Sequence, residues 1–325
     1  MRSRRLFLAV GTALLAAMPL ALPAQAQTFP SKPIRIIVPF PPGGTTDIVA
    51  RLVAGRMFEG SGHTVLVENR GGGGGTIGAD AVAKAAPDGY TLLMGNITFP
   101  VGAIASAHRL PYNAETDFAG VSICVLVPVV ATASPAVPAK DLRELAMLLQ
   151  KDSSLKYAYG STGPGSIAHV MFETFKREAK VDMTHVPFKG AAPLKQELLA
   201  GRLQVGSDQL SSSLAEIKGG QLRALATLAS KRIPELPSMP TARELGFPQM
   251  EVEGWNGLFA PAKTPREIIN RISKEVAAAV KHPDIAKRFV ELAAEPIGSA
   301  PEEQDTILRK QLAQFRQITQ GMKFE

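Results

Sequence analysis

The sequence predicts an α/β chain of two lobes, each a sheet flanked by helices, with the chain crossing between them twice. Three observations carry this. Apolar runs of strand length alternate with amphipathic helical stretches from residue 34 onward. The alternation gives way to a long apolar run ending at Ala133, is broken by Pro135 and Pro138, and then starts again. Beyond the turn-rich stretch 234–240 come another apolar strand and two long amphipathic helices, which have the first unit to pack back upon.

Residues 34–38 read as a buried strand, followed by a loop and a helix over 45–58 with Ile48, Val49, Leu52 and Val53 on its inner side. A second strand at 63–67, the glycine run 71–75, a helix over 77–86, the turn Pro87-Asp88-Gly89 and a strand at 90–94 complete a β-α-β-α-β order, which predicts a parallel sheet. A helix over 140–150 leads into the second unit, with strands at 156–159, 183–187, 203–206 and 222–228 and helices over 166–179, 192–200 and 211–218. A short helix over 241–245 precedes the strand 252–260, which contains Trp255, and then helices over 264–280 and 301–321. Lobe 1 is therefore expected at 27–128 with 250–325, and lobe 2 at 129–249. Two lobes on two crossovers make a cleft that can close like a hinge.

Residues 1–26 read as a cleavable signal peptide: Arg2, Arg4 and Arg5, an apolar run to Leu22, and Ala24-Gln25-Ala26 before Gln27. Pro19 and Pro23 interrupt the apolar run, which is too short for a comfortable membrane span. Ser3-Arg4-Arg5-Leu6-Phe7-Leu8 also resembles a twin-arginine signal, so export by either the Sec or the Tat route is open. Without the leader the formal charge falls from +7 by three arginines to +4, with Lys and Arg interspersed with acids along the helices. That pattern suits solubility and excludes a nucleic-acid partner. The one cysteine, Cys124, sits in an apolar run and reads as a buried small hydrophobe with no internal disulfide.

Two strand-to-helix turns are rich in small residues: Pro39-Phe40-Pro41-Pro42-Gly43-Gly44-Thr45-Thr46-Asp47 and Tyr159-Gly160-Ser161-Thr162-Gly163-Pro164-Gly165-Ser166. Such turns leave main-chain N–H groups unpaired at the positive end of a helix, where a carboxylate or phosphate is stabilised without Lys or Arg. Each ends a strand, one in each lobe, where open α/β sheets bind ligands. The candidate ligand-binding residues are thus Pro42, Gly43, Gly44, Thr45, Thr46, Asp47, Ser161, Thr162, Gly163, Gly165 and Ser166. Asp47 either joins the site or caps its helix. Asp208, after the strand 203–206, is placed to receive an ammonium or hydroxyl, or to cap the next helix. Phe40, Phe188 and Trp255 are candidate walls, although aromatics in such positions more often belong to the core.

Enzymatic chemistry has little local support. Gly73-Gly74-Gly75-Thr76-Ile77-Gly78 satisfies G-x-G-x-x-G, but a glycine run matches easily and no acid follows about 20 residues on. Ser161 and Ser166 lack the G-x-S-x-G elbow. His169 and His185 are formal bases, but His169 lies in an amphipathic helix as a structural histidine would. The five histidines form no i, i+3 or i, i+4 pair and one cysteine builds no thiolate cluster, so neither metal nor cofactor is expected.

The segments Ser31-Lys32-Pro33-Ile34-Arg35, Val38-Pro39-Phe40 with Gly43-Gly44-Thr45-Thr46-Asp47, Val67-Glu68-Asn69-Arg70, Ala86-Pro87-Asp88-Gly89-Tyr90-Thr91-Leu92, Phe188-Lys189-Gly190-Ala191-Ala192-Pro193, Pro240-Thr241-Ala242-Arg243-Glu244-Leu245-Gly246 and Gly254-Trp255-Asn256-Gly257 resemble, in order and across the mature chain, the Bug family of extracytoplasmic solute receptors. These are the binding components of tripartite tricarboxylate transporters. The resemblance implies a Venus-flytrap periplasmic-binding-protein fold that captures a small organic carboxylate in the periplasm and delivers it to membrane permease subunits; the receptor is expected to be a monomer. It places the two turns as carboxylate-binding loops, with Asp208 as a further contact. The run 71–75 departs from the family pattern, which carries a proline and an alanine among its glycines. The alternatives are a secreted serine hydrolase using Ser161 or Ser166, and a sensor that presents its ligand to a membrane kinase.

Overall fold

β1 (Ile34–Val38) is buried at every position but Arg35, as a nearly continuous apolar run requires in a strand covered on both faces. It lies between β2 (Val65–Asn69) and β3 (Thr91–Asn96), parallel to both, with α1 (Thr45–Ala54) and α2 (Thr76–Ala83) as crossovers. α3 (Thr98–Ala105) follows β3, and β4 (Phe118–Leu126) ends this stretch. The next strands form a separate sheet: β5 (Val129–Ala133), β6 (Ala158–Ser161), β7 (Thr184–Pro187), β8 (Val205–Gln209) and β9 (Arg223–Thr227), ordered β7-β6-β8-β5-β9. Between them lie α4 (Leu142–Lys151), α5 (Ile167–Ala179), α6 (Ala191–Leu199) and α7 (Leu214–Lys218). β10 (Trp255–Pro261) then enters the first sheet between β3 and β4, antiparallel to both. α8 (Arg266–Lys281), α9 (Pro283–Glu291), β11 (Glu295–Pro296) and α10 (Pro301–Ile318) complete that side, in the order β11-β4-β10-β3-β1-β2.

The computed structural model describes residues 29–152 and 154–324, and the fold above is the unit from Lys32 onward. The leader expected over 1–26 lies outside the described residues. Among those described, no helix is long and apolar enough to cross a membrane.

Several elements differ from expectation, each for a physical reason. The parallel sheet holds for β1–β3 and for β6–β8, whereas β4, β5, β10 and β11 pair antiparallel. A βαβ pattern speaks only for consecutive strands, and β10 arrives from far along the chain. The apolar run to Ala133 is two strands in different sheets, divided at Val127-Pro128 where proline has no N–H to donate. α3 gave no periodic signal because Thr-Phe-Pro-Val-Gly-Ala-Ile-Ala is apolar nearly all round, as a helix covered on several sides must be. Residues 241–245 form turns rather than a helix: Thr241 and Glu244 cap one another, and Gly246 at φ +96° ends the coil at once. α1 and α10 stop short of their expected ends, at Ala54 and Ile318.

One apolar cluster joins helices of the two sides. It packs Ile97, the N-cap of α3, Val101 and Ala105 of α3, and Phe315 and Ile318 of α10 with Val170, Met171 and Phe175 of α5. Trp255 is fully buried, and its Nε1–H donates to Gln311 Oε1 at 2.6 Å. Cys124 is also fully buried, and burial pushes its thiol up to about 12. Native protein is therefore expected to resist alkylation by iodoacetamide under conditions where denaturant-unfolded protein reacts completely. Equal labelling rates would mean that β4 opens.

Candidate ligand-binding site

Four helix N-termini converge on one cavity between the sheets. Its lining takes Gly44, Thr45 and Thr46 from the start of α1, Ile97 and Thr98 from the N-cap and first residue of α3, Thr162 and Ile167 from the entry to α5, and Ala191 from α6; Phe40, Asn96, Asp208 and Gln209 complete it. No lysine or arginine lines it. The first N–H groups of each helix have no intrahelical acceptor, so the cavity meets several positive helix ends at once.

The turn before α1 is shaped by Asp47. Gly44 occupies the N-cap in an extended conformation without a capping side chain. The Asp47 carboxylate reaches back instead: Oδ2 accepts from Gly43 N at 3.0 Å, Arg51 Nε stands 3.1 Å from both oxygens, and Asn69 Nδ2 donates to Oδ1 at 2.8 Å. Asn69 Nδ2 also donates to Phe40 O at 3.0 Å, tying the loop to β2. Burial alone would raise the Asp47 carboxyl, but hydrogen bonds from Arg51, Asn69 and the Gly43 amide outweigh it and hold the group below its usual range.

The turn before α5 closes on itself. Ser166 caps α5 by accepting from His169 N at 3.4 Å. Ser161 Oγ donates to Gly163 O at 3.0 Å, accepts from Gly163 N at 3.2 Å and lies 2.7 Å from His185 Nε2. Gly163 and Gly165 hold φ of +134° and +69°, where a side chain would be strained.

The glycine run 71–75 meets the turn before α5 across the cleft. A Cβ on Gly74 would stand 2.6 Å from Pro164 O, and one on Gly163 would stand 2.9 Å from Gly74 Cα. On the other side, a Cβ on Gly190 would meet Pro41 Cδ at 2.8 Å. Thr45 Oγ1 donates to Gln209 O at 3.2 Å, while the Gln209 side chain bonds Trp255 O and Asn256 of β10. The glycine run 71–75, a departure from pattern in the sequence, thus lies close against the turn before α5.

Of the residues singled out by sequence, Gly44, Thr45, Thr46, Thr162 and Asp208 line the cavity. Pro42 and Gly43 lie exposed at its lip. Asp47, Ser161 and Ser166 are buried and brace their loops. Phe40 is a wall of the cavity, whereas Trp255 belongs to the core and Phe188 packs beside Leu194 and Leu198. Asn96, Thr98, Ala191 and Gln209 were missed. The polar residues at the end of the run Thr-Leu-Leu-Met-Gly-Asn could have flagged the first two, and Asn96 Nδ2 now donates to Thr46 Oγ1 at 2.8 Å while its Oδ1 accepts from Thr98 N at 2.9 Å. β8 runs on through Gln209, beyond the expected end at 206.

Asp208 is the one acid in the lining. Burial pushes its carboxyl up to about 6, against bonds from Ser212 Oγ, at 2.6 Å, and the Gln209 amide and the attraction of Lys195. Among the described residues, no group of three His, Cys, Asp or Glu is placed to hold a metal.

Two α/β lobes with helix N-termini meeting at the cleft between them define the periplasmic-binding-protein class. The chain belongs to the tripartite tricarboxylate transporter family receptors, whose model matches residues 49–323. BugT of Bordetella pertussis is 34% identical over 305 residues, 93% of each chain. Among solved structures, MatC of Rhodopseudomonas palustris with bound malate is 33% identical with a TM-score of 0.82, over 89% of this chain and 99% of that one. R. palustris Rpa4515 with adipate is 31% identical with a TM-score of 0.84, over 90% and 97%.

Proposed function

We propose that this protein is a monomeric periplasmic receptor that closes two lobes, 27–128 with 250–325 and 129–249, on a small organic carboxylate and passes it to the permease subunits of a tripartite transporter. The convergence of four helix N-termini on a cavity with no cationic side chain carries the proposal. Each terminus is worth about half a positive charge, and an anion is the ligand that satisfies them. The malate and adipate of MatC and Rpa4515 are ligands of that kind. Gly44, Thr45, Thr46 and Thr162 supply amides and hydroxyls, while Asp47, Ser161 and Ser166 hold the loops in shape. A carboxylate contacting both lobes binds the closed form better than the open one, and that difference drives closure. The rest of the ligand enters the adjoining hollow, which shares Phe40, Asn96 and Thr98 with the cavity and adds Phe99 and Tyr112.

The Ser161–His185 contact is the one feature that favours a hydrolase. Ser161 is fully buried, however, and the nearby Glu173 bonds Tyr159 and Lys176. Both arrangements suit a brace better than a nucleophile. Titration calorimetry against malate, adipate and an aromatic acid, with analysis of the recovered ligand, tests the proposal. Saturable binding of an unaltered carboxylate supports it; turnover, or no binding across the panel, overturns it.

Asp208 is expected to discriminate among carboxylates. As an acceptor it favours a ligand hydroxyl or ammonium, and as an anion it opposes an unsubstituted diacid. Asp208→Asn should weaken malate-like ligands and strengthen adipate-like ones, each by about 5–10-fold near neutral pH. In the wild type, affinity for adipate should rise as pH falls toward about 6, where Asp208 takes up its proton, and the variant should lack that rise. Calorimetry at a series of pH values checks both.

A further inference from the structure

Beneath the turn before α5 lies a stacked pair of imidazoles. The rings of His169, on α5, and His185, on β7, lie 3.7 Å apart at 21°. Tyr159 stacks on His185 with centroids 5.0 Å apart, and Phe324 meets His169 edge-on at 5.1 Å. Each imidazole holds a different end of the turn. His185 Nε2 lies 2.7 Å from Ser161 Oγ, and His169 Nδ1 accepts from Gly165 N at 3.2 Å. The direction of the Ser161–His185 bond follows the His185 tautomer, while His169 must present a lone pair to the Gly165 N–H.

We infer that His169 and His185 are positioning residues for the lobe 2 carboxylate grip, and that the grip keeps its shape only while His169 is neutral. This rests on the binding role proposed for the turn. Protonating His169 would place an N–H against the Gly165 N–H, turning a hydrogen bond into a repulsion. Protonated His185 still bonds Ser161, as donor through Nε2–H, but two imidazolium rings at this separation repel, so the pair carries at most one charge. The charged groups around it are Glu173 and Lys176 of α5. Glu173 Oε1 accepts from Tyr159 at 2.5 Å and from Lys176 at 2.9 Å, and Lys176 also faces Asp182 at 3.6 Å. Burial opposes protonation of both rings most strongly; His185 and Lys176 oppose it further at His169, Lys176 does so at His185, and Glu173 favours it at each. His169 is pushed down to about 4, so the turn is firm at neutral pH and loosens in acid. The turn before α1 hangs on a carboxylate and keeps its brace over the same range.

Hydrogen exchange of the ligand-free full chain, read on a peptide spanning 161–166 and corrected for intrinsic rates, tests this at about pH 7 and about pH 5. The wild type should exchange at least about 5-fold faster at the lower pH. His169→Asn, whose Oδ1 can accept where Nδ1 did but does not titrate, should exchange alike at both. His185→Gln should match the wild type at neutral pH, whereas His185→Leu should exchange faster throughout. In calorimetry with adipate, the ratio of His169→Asn to wild-type affinity should rise on acidification. A wild-type turn indifferent to pH, or a His169→Asn response equal to the wild type, overturns the inference. Failure of every carboxylate to bind at neutral pH would instead defeat the receptor proposal and leave the exchange result standing.

Discussion

Gly74→Ala is expected to leave both lobes folded yet lower carboxylate affinity by roughly 30–100-fold, a cost of about 2–3 kcal/mol. The added Cβ would stand 2.6 Å from Pro164 O, a backbone atom with no freedom to swing aside. Relief comes only by parting the lobes, which withdraws one set of amides from the ligand. Part of the penalty is local strain, because Gly74 sits at φ +65°. Gly60→Ala separates the two effects: Gly60 has φ +77° but nothing within 4 Å of its would-be Cβ. It should lose stability comparably and bind normally. Small-angle scattering adds a second readout, since adipate should compact the wild type and the Gly60 variant but not the Gly74 variant. Equal losses of affinity in both variants would show that strain, not contact, is responsible.

Asp47→Ala should be the most damaging change within a single lobe. It strips one acceptor from Gly43 N, Arg51 and Asn69 together. Removing one partner of a buried hydrogen-bonded pair costs about 3–5 kcal/mol, but Arg51 is half exposed, so about 2 kcal/mol is the reasonable figure here. The turn before α1 would lose its shape, and affinity should fall by more than about 10-fold, whereas Arg51→Met should cost distinctly less of both. Denaturant unfolding and calorimetry on the same samples check this; unchanged affinity in Asp47→Ala would mean that the turn needs no brace. The pH dependence follows from the direction of the shift. The folded carboxyl lies below its ordinary 3.8, so its contribution to stability is complete above that value and is lost as pH falls through the lower folded one. His169 acts earlier. Its folded value is depressed from 6.5 to about 4, so the unfolded chain takes up a proton that the native state refuses across that window. Stability should therefore decline from about pH 6.5 downward, by up to about 1.4 kcal/mol for each unit of depression, and His169→Asn should flatten the decline.

Much of this architecture is legible in the sequence because local chemistry announces it. The strand Ile-Arg-Ile-Ile-Val could be read from its apolar run, and the glycines and threonines after it mark a helix start that leaves amides free. What the sequence hides is direction and partnership. Gly-Gly-Thr-Thr-Asp does not reveal that the threonines face the cavity while the aspartate turns back to Gly43, because that depends on Asn69 arriving from β2. Ser161 and Ser166 resemble ligand-facing hydroxyls for the same reason, yet both are spent on their own turn. α3 was invisible because a helix enclosed by neighbours has no polar face to give it a period. Asn96 and Thr98 are hidden with it, since both owe their position to the junction of β3 with that helix.

The insertion of β10 between β3 and β4 bears on how the molecule comes into being. β5 to β9 lie in one uninterrupted stretch, Val129 to Thr227, whereas the other sheet lacks a central member until Trp255 to Pro261 has been made. During synthesis from the amino terminus, β4 and the β1–β3 group must wait with facing edges unpaired while the downstream half has every strand it needs. Assembly is thus expected to run against chain order, with β10, made after the whole second sheet, completing the first sheet begun.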